Sequence, residues 1–166
     1  MTVREARDMY LAENGFTVAA YEDKWTDASF MGVRFKVPNT PRHRVAIMLH
    51  DLHHVATGFG TDLVGEAEIS AWEARRGLGA LGFYVGGIVT SGALMGLFLG
   101  PRRTLRAWRA SSNRESLFPL CEEKDFLERY ERLLSMTVGE LRQTLGVPAN
   151  GVATTERKLH AYAPAH

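Results

Sequence analysis

The sequence predicts an all-α fold, a single-domain helical bundle with a helical hairpin and a central glycine-rich apolar helix. The first observation is size, because 166 residues are enough for one domain with a core of its own. The second is a series of helix start and stop signals along the chain. The third is continuity: neither a repeat nor a linker divides residues 1–148, which we assign to one domain, followed by a flexible tail over 149–166.

Composition restricts the class of protein. A formal net charge of +1 argues against general nucleic-acid binding, which usually needs a strong basic excess. The single cysteine, Cys121, excludes an intramolecular disulfide and suits a reducing compartment. The first ten residues, MTVREARDMY, lack the apolar core of a secretory signal. We therefore expect a cytoplasmic protein.

The first two predicted helices have clear boundaries. Thr2 and Glu5 form a capping box for a short helix that Asn14-Gly15 should end. Residues 16–39 have aromatic and turn-forming residues without a clean period, so we expect a partly irregular arm. A second helix runs from the N-cap Thr40 to the stop at Gly58.

The later helices follow from the same kinds of signal. A helix of sequence LVGEAEISAWEARR should start after Thr61 or Asp62. Pro101 opens the helix RRTLRAWRA, and the amphipathic segment EEKDFLERYERLL follows. A capping box at Thr137 and Glu140 begins the last helix.

Residues 77–100 contain no charge, and eight of these 24 residues are glycine. Their length would allow a membrane span, but the glycines lower both helix propensity and hydrophobicity. We predict a helix bent at Gly86-Gly87, packed inside a soluble domain and lining an apolar groove, with membrane insertion as the alternative.

The stretch HDLHH at 50–54 is the strongest functional signal. Residues four apart lie on one helix face, so the imidazoles of His50 and His54 can converge on one ion. Asp51 is at the edge of that face, where it can ligate a metal or handle a proton. His53 points about 100° away from His54 and should be a bystander or support a ligand. Such a pair also occurs by chance on a solvated face.

A further ligand should come from the next helix, which carries Glu66, Glu68 and Glu73. A tight turn at 58–60 would fold this helix back, so that Glu66 could face His54. Imidazoles with carboxylates suit zinc, iron, manganese or cobalt. Surface charge is the expected role of Glu68 and of Asp62.

These residues resemble a known family. His50-Asp51-x-x-His54, followed after eleven residues by Glu66, is similar to the HDxxH-x11-E signature of the coenzyme Q (ubiquinone) biosynthesis protein 4 family. The stretch HHVATGFGTDLVGE, the run ending in LFLGPRR and the terminal RYERLLSMTVGELRQTLGVP also resemble that family. The resemblance covers residues 42–148. The motif is highly specific, whereas the rest matches in pattern more than in identity.

The resemblance implies an all-α protein that binds a divalent metal, most simply zinc, through His50, Asp51, His54 and Glu66, with Asp51 and Glu66 as the catalytic residues. It implies that the protein binds an isoprenoid or prenylated quinone lipid at the inner face of a membrane. The protein partners it implies are other quinone-biosynthesis proteins and a second copy of the chain. The activity it implies is decarboxylation with hydroxylation of the ring of a polyprenylated aromatic precursor. Residues before Arg42 do not match, and Asp62 replaces an expected amide.

The glycine-rich segment could then have a binding function. Gly82 with Gly86, and Gly92 with Gly96, would open smooth grooves for an isoprenoid tail or for a close-packed helix. Both readings stay open.

A basic helix face follows this segment. Arg102, Arg106 and Arg109, beside Trp108, could hold a pyrophosphate or anionic lipid headgroups at the mouth of the groove, or form a solvated face.

Three functions compete. The first is a metal-dependent enzyme of prenylated-quinone or isoprenoid lipid biosynthesis. The second is a non-catalytic lipid-binding scaffold with a structural metal. The third, a metal hydrolase, is weakened because HDxxH lacks the glutamate that serves as base in HExxH enzymes.

Overall fold

The structure, a computed structural model, describes residues 1–30, 33–111 and 115–153, with side chains outside 27–35. These residues form seven α-helices: α1 (Val3–Glu13), α2 (Pro41–Thr57), α3 (Leu63–Arg76), α4 (Gly82–Leu99), α5 (Pro101–Ala110), α6 (Phe126–Ser135) and α7 (Val138–Thr144). Short 3-10 turns lie at Val18–Glu22, Gly79–Leu81 and Phe118–Glu122. The predicted all-α single domain is confirmed.

The capping signals place the helix ends well. Thr2 and Thr137 each complete a capping box, and Thr40 and Asp62 cap α2 and α3. Gly58 ends α2 with a φ of 79°, a left-handed conformation that glycine adopts without strain. The predicted start of the helix EEKDFLERYERLL is too early. Its first residue, Glu122, ends a 3-10 turn, residues 123–125 are not helical, and α6 begins at Phe126.

The expected irregular arm over 16–39 is wrong for its second half. Strands β1 (Trp25–Phe30) and β2 (Val33–Pro38) form an antiparallel hairpin with Trp25 opposite Pro38. The alternation of apolar and polar residues in VRFKV, residues 33–37, carried this signal.

Helix α2 lies at the centre of the protein. Leu49, Leu52 and Ala56 are fully buried and belong to the main core cluster, together with Ile69 and Trp72 of α3. Every residue from 51 to 57 is buried, so the second half of α2 is enclosed on all sides. The imidazoles and carboxylate of HDLHH therefore do not form a solvated face.

Helix α4 is not the interior helix that the sequence predicted. It runs without a break through Gly86-Gly87, and of its side chains only Val85 and Val89 are buried. Phe83 and Phe98 are 104 % and 83 % exposed. A bent, enclosed helix is therefore wrong. The prediction failed because an uncharged run has the same sequence signature whether protein or another apolar medium covers it.

Residues 79–99, which include α4, are long and apolar enough to cross a membrane, with a mean hydropathy of 1.6. Only 22 % of their most apolar window is buried in the protein. Length and composition alone are weak evidence for a span, because a core helix of a soluble protein passes the same test.

Three glycines let α4 approach its neighbours closely. A β-carbon on Gly92 would lie 2.5 Å from Oγ of Ser70 in α3, and one on Gly96 would lie 2.7 Å from Cβ of Ala67. A β-carbon on Gly100 would meet α3 as well. Gly92 and Gly96 therefore serve close helix packing and do not open a groove for an isoprenoid tail. This packing holds one side of α4 against α3 and α5.

The predicted flexible tail begins too early. The N–H groups of Val152 and Ala153 donate to the carbonyl oxygen of Thr57 over 2.8 and 3.1 Å. Arg142 donates to the carbonyl oxygens of Ala56 and Ala149. Residues 149–153 thus cover the end of α2, and the rest of the predicted tail, 154–166, lies outside the described residues.

Candidate metal centre

Helices α2 and α3 bring two imidazoles and one carboxylate together. His50, His54 and Glu66 each offer a ligand atom, and these atoms all lie within 4.8 Å of one another. The predicted meeting of the two histidines with Glu66 is confirmed. Away from this site α3 packs mainly against α4 and α5. Helices α2 and α3 therefore touch near the cluster and do not pack along their whole length as a hairpin would.

The hydrogen bonds fix which nitrogen of each ring faces the cluster. Nδ1 of His54 lies 3.0 Å from the carbonyl oxygen of Phe59, which can only accept, so this nitrogen carries a proton. Nδ1 of His50 lies 2.9 Å from the Glu73 carboxylate and donates to it. The Nε2 atoms of His50 and His54 then face each other at 3.0 Å. Two nitrogens this close need a cation between them, which is either a proton or a metal ion.

The spacing of the three groups suits a metal ion. Each Nε2 atom lies 3.4 Å from an oxygen of Glu66. Two ligands bound at about 2.0–2.1 Å to a tetrahedral ion lie about 3.3 Å apart. The separations of 3.0 and 3.4 Å are close to that value, so the positions of His50, His54 and Glu66 fit a divalent metal ion, as the sequence predicts.

Further side chains hold the imidazoles of the candidate site in place. Glu73 is wholly buried, and its Oε1 accepts from Nδ1 of His50 and from Nδ1 of His53 at 2.9 and 2.7 Å. Nε2 of His53 accepts from the N–H of Leu117 over 3.2 Å. The ring of Tyr10 stacks on His54 at 5.2 Å. Such supporting contacts orient metal-binding imidazoles and raise their basicity.

The charges in the site favour a cation. Burial by itself would lower the pKa of His50, but the carboxylates of Glu73 and Glu66 reverse this effect and raise the pKa well above its usual value. Burial by itself would raise the pKa of Glu73, but His50 and His53 lower it to about 2. The pKa of Glu66 is also lowered, because His54 and His50 outweigh the cost of its burial. Without metal, a proton on His50 fills the position that an ion would take.

The structure does not bring Asp51 into the group of ligand atoms. Asp51 is buried beside the cluster, at its border as predicted, and accepts a hydrogen bond from the Tyr21 hydroxyl at 2.5 Å. Burial raises the pKa of this carboxyl group, and the nearby His50 opposes the rise. Adjacent helical residues are about 100° apart, so Asp51 lies one step round α2 from His50 and its carboxylate meets Tyr21. Its predicted roles as ligand and catalytic residue therefore have no geometric support.

Two acidic residues predicted to be surface charges have structural roles. Glu68 is 3 % exposed, and its carboxylate lies 2.6 Å from Arg103 of α5. Asp62 accepts from the N–H of Gly65 at 2.7 Å and thereby caps α3. The sequence could not separate these cases, because paired and solvated glutamates have the same spacing along a helix.

A cavity of about 160 Å³ borders the metal centre. His50 and Glu66 lie in its wall, together with three apolar side chains of α4. It is lined by His43, Ala46, Ile47, His50, Glu66, Ser70, Val85, Ile88, Val89 and Phe118. Ile88 is also 41 % exposed, so the cavity extends to the outer surface of α4. Part of the predicted apolar groove therefore exists, next to the metal centre.

The four residues predicted to bind a cofactor or head group lie outside this lining. Gly82 begins α4 with a φ of 69°, close to the Arg42 side chain, and Gly86 packs near Leu78. Arg102 and Arg106 are exposed on α5. Their part in lipid binding stays a prediction.

Sequence reasoning named Glu73 as a candidate ligand, although it supports His50 and His53 instead, and it passed over His43, which lines the cavity. Glu73 stands seven residues after Glu66, and His43 stands seven residues before His50. A spacing of seven returns to nearly the same helix face, so each pair shares a side of its helix. This spacing was the available signal, although it does not distinguish a site residue from a core residue.

No family model, curated protein or solved structure matches the chain.

Proposed function

We propose that this chain is a metal-binding protein of the coenzyme Q biosynthesis protein 4 type, acting in ubiquinone or related prenylated-quinone and isoprenoid lipid metabolism. Its proposed reaction replaces the carboxyl group of a polyprenylated aromatic acid with a hydroxyl group. The bond between the ring and the carboxyl carbon breaks and CO2 leaves, while dioxygen and a two-electron reductant, both supplied as co-reactants, provide the hydroxyl oxygen and form water. The proposed ion is zinc, with iron, manganese or cobalt as alternatives that the same ligands accept. The motif His50-x-x-x-His54 with Glu66 supports the family, and the geometry of those three side chains supports the metal.

The observation that carries the proposal is the pair of facing Nε2 atoms. His50 and His54 have both committed Nδ1 to an acceptor, and their other nitrogens meet beside the Glu66 carboxylate. Bringing unprotonated nitrogens together is unfavourable unless a cation binds them. A chance cluster on a solvated surface would not have buried partners for each ring.

The number of ligands favours a reactive centre over a purely structural one. Among the described residues, three side chains make up the cluster, whereas a structural zinc ion has four protein ligands. Because His50 and Glu66 also line the cavity, a free coordination position would face a bound substrate. When bound, a divalent ion supplies a Lewis acid for a substrate oxygen. A scaffold with a closed metal site is the second candidate. A metal hydrolase is a weaker candidate, because HDxxH lacks the glutamate that serves as general base in HExxH enzymes.

The chain's own residues define the rest of the site. Glu73 and His53 keep His50 in the orientation that binds metal. Val85, Val89 and Phe118 keep water away from the reacting ring. Of the two predicted catalytic residues, only Glu66 borders the cavity, so we assign any proton exchange with the substrate to Glu66.

The exposed side of α4 supports a lipid partner. Phe83, Leu94, Leu97 and Phe98 are all exposed large apolar side chains, and Ile88 joins this surface to the cavity. Monomeric soluble proteins rarely expose so continuous an apolar surface without a function. A substrate ring in the cavity would have its isoprenoid tail along this side of α4. We therefore propose peripheral attachment to the inner face of a membrane, with the α5 arginines near anionic headgroups.

The test is native purification followed by metal analysis and lipid mass spectrometry on one sample. We expect one metal ion for each chain together with a prenylated lipid. His54→Ala and Glu66→Ala should lose the metal. His53→Ala should retain it, because the imidazole of His53 bonds to Glu73 and to the N–H of Leu117 and lies outside the three-residue cluster. Equal loss in all three variants would refute the assignment, and so would a wild-type protein without metal.

A further inference from the structure

The last carbonyl groups of α2 find their hydrogen-bond partners much further along the chain. An α-helix leaves its final four carbonyl oxygens without partners inside the helix. At this end of α2, the N–H groups of Val152 and Ala153 both donate to the carbonyl oxygen of Thr57, over 2.8 and 3.1 Å. Residues 149–153 therefore form a strap across the end of the helix.

The strap fits the helix end closely. Gly151 has a φ of 81°, and a β-carbon on it would lie 2.7 Å from the carbonyl oxygen of Thr57. Arg142 of α7 is 4 % exposed and donates to the carbonyl oxygens of Ala56 and Ala149, over 2.9 and 2.5 Å. One buried guanidinium group thus ties the strap to the helix.

The same helix end orients one of the candidate metal ligands. The chain turns at Gly58 and brings the carbonyl oxygen of Phe59 to 3.0 Å from Nδ1 of His54. This bond places the proton on Nδ1 and leaves Nε2 free to bind a metal ion. The strap lies against that turn, since Cβ of Ala153 is 3.5 Å from the position that a β-carbon on Gly58 would take. The place of the Phe59 carbonyl group depends on where Thr57 and Gly58 are held, and the strap contacts both.

We propose that residues 149–153 are a positioning element of the metal centre, which fixes the Phe59 carbonyl group and through it the orientation of His54. This inference rests on the proposed function, because it takes His54 as a metal ligand. Energetic coupling between two events is reciprocal. Since the closed strap favours metal binding, metal binding stabilises the closed strap by the same factor.

Gly151→Ala tests the strap without touching a ligand. Its β-carbon does not fit beside Thr57, and alanine disfavours a φ of 81°. The zinc affinity of the full chain, measured by competition with a chelator, should fall about tenfold, which is the lower end of the range for groups that support a ligand. Cobalt bound in place of zinc should show changed visible absorption bands, because His54 then presents Nε2 at a different angle.

Gly15→Ala is the matched control. Gly15 has a φ of 74° and no atom within 4 Å of its β-carbon position, so this variant introduces the same backbone strain away from the strap. Its zinc affinity and cobalt spectrum should equal those of the wild type. An equal change in both variants, or no change in Gly151→Ala, overturns the inference.

Amide hydrogen exchange in the wild type tests the reciprocal effect, and it decides the question even where Gly151→Ala does not fold. Zinc should slow exchange of the Val152 and Ala153 amides about tenfold and leave exchange of the Thr104 amide in α5 nearly unchanged. Equal slowing at all three positions, or no slowing at Val152 and Ala153, overturns the inference. Zinc content is measured first, so a wild-type protein that takes up no zinc refutes the proposed function itself and is recognised separately.

Discussion

Replacing Glu73 with glutamine tests whether the side chains that support the ligands control metal binding. The substitution keeps the shape of the side chain and removes its charge. In the wild type, one carboxylate oxygen accepts from both His50 and His53, at 2.9 and 2.7 Å. The amide oxygen of glutamine is a weaker acceptor, so His50 should become a less basic ligand.

The expected loss follows from what such supporting groups contribute elsewhere. Removing a partner of a metal-binding histidine typically lowers affinity 10–100-fold, which is about 1.4–2.7 kcal/mol. Glu73 supports His50 directly and has no exposed surface, so solvent does not screen its charge. We expect a loss near the upper end of this range. Stoichiometry should remain one ion, because Glu73 is not itself a ligand.

The assay is competition between the protein and a chelator of known zinc affinity, at fixed pH and ionic strength. The matched control is Glu68→Gln. Glu68 lies on the same helix and is 3 % exposed, but its carboxylate pairs with Arg103 instead of a histidine. The control removes an equally buried charge and should leave zinc affinity within about twofold of the wild type, although it lowers stability.

Two results would refute this reasoning. One is an unchanged zinc affinity in Glu73→Gln, which would mean that His50 does not depend on its Nδ1 partner. The other is an equal loss in Glu68→Gln, which would mean that the effect comes from the general loss of negative charge near the site.

Three further predictions concern α4 and the acid stability of the site. Gly96→Ala places a β-carbon against α3 and α5 and should lower the free energy of unfolding by about 1–3 kcal/mol. Gly87→Ala, whose β-carbon would have no atom within 4 Å, should raise it by about 0.5–1 kcal/mol. Calorimetric melting of both variants measures these changes, and equal shifts would contradict the packing. Since the pKa of Glu73 is lowered from 4.5 to about 2, its charge stabilises the folded state above about pH 4.5, and about 3 kcal/mol of that stability should disappear as the pH falls to 2. Urea unfolding of the metal-free wild type and of Glu73→Gln measures this loss, which the variant should not show. Phe98→Asp should weaken binding to anionic vesicles at least tenfold in a sedimentation assay. Leu127→Asp, at an exposed position on α6, should leave this binding unchanged. Equal effects would count against α4 as the membrane-binding surface.

The sequence by itself determined most of the helix ends and the three residues of the candidate metal site. Capping residues such as Thr2 and Thr137 act within one turn, so their hydrogen bonds can be predicted without knowing the rest of the fold. The four-residue spacing of His50 and His54 fixes their common face for the same reason, because it depends only on the helical repeat. These local rules also led to Glu66, through the short turn between the two helices.

Only the tertiary structure decided what each face meets. Asp51 faces Tyr21, and Glu73 supports two histidines, although either carboxylate could have been a ligand or a surface charge by its spacing. Helix α4 lies at the surface, although an uncharged, glycine-rich segment is equally typical of an interior helix. Helical periodicity determines which side chains share a direction. The partner in that direction comes from residues distant in sequence, and their positions depend on how the whole chain packs.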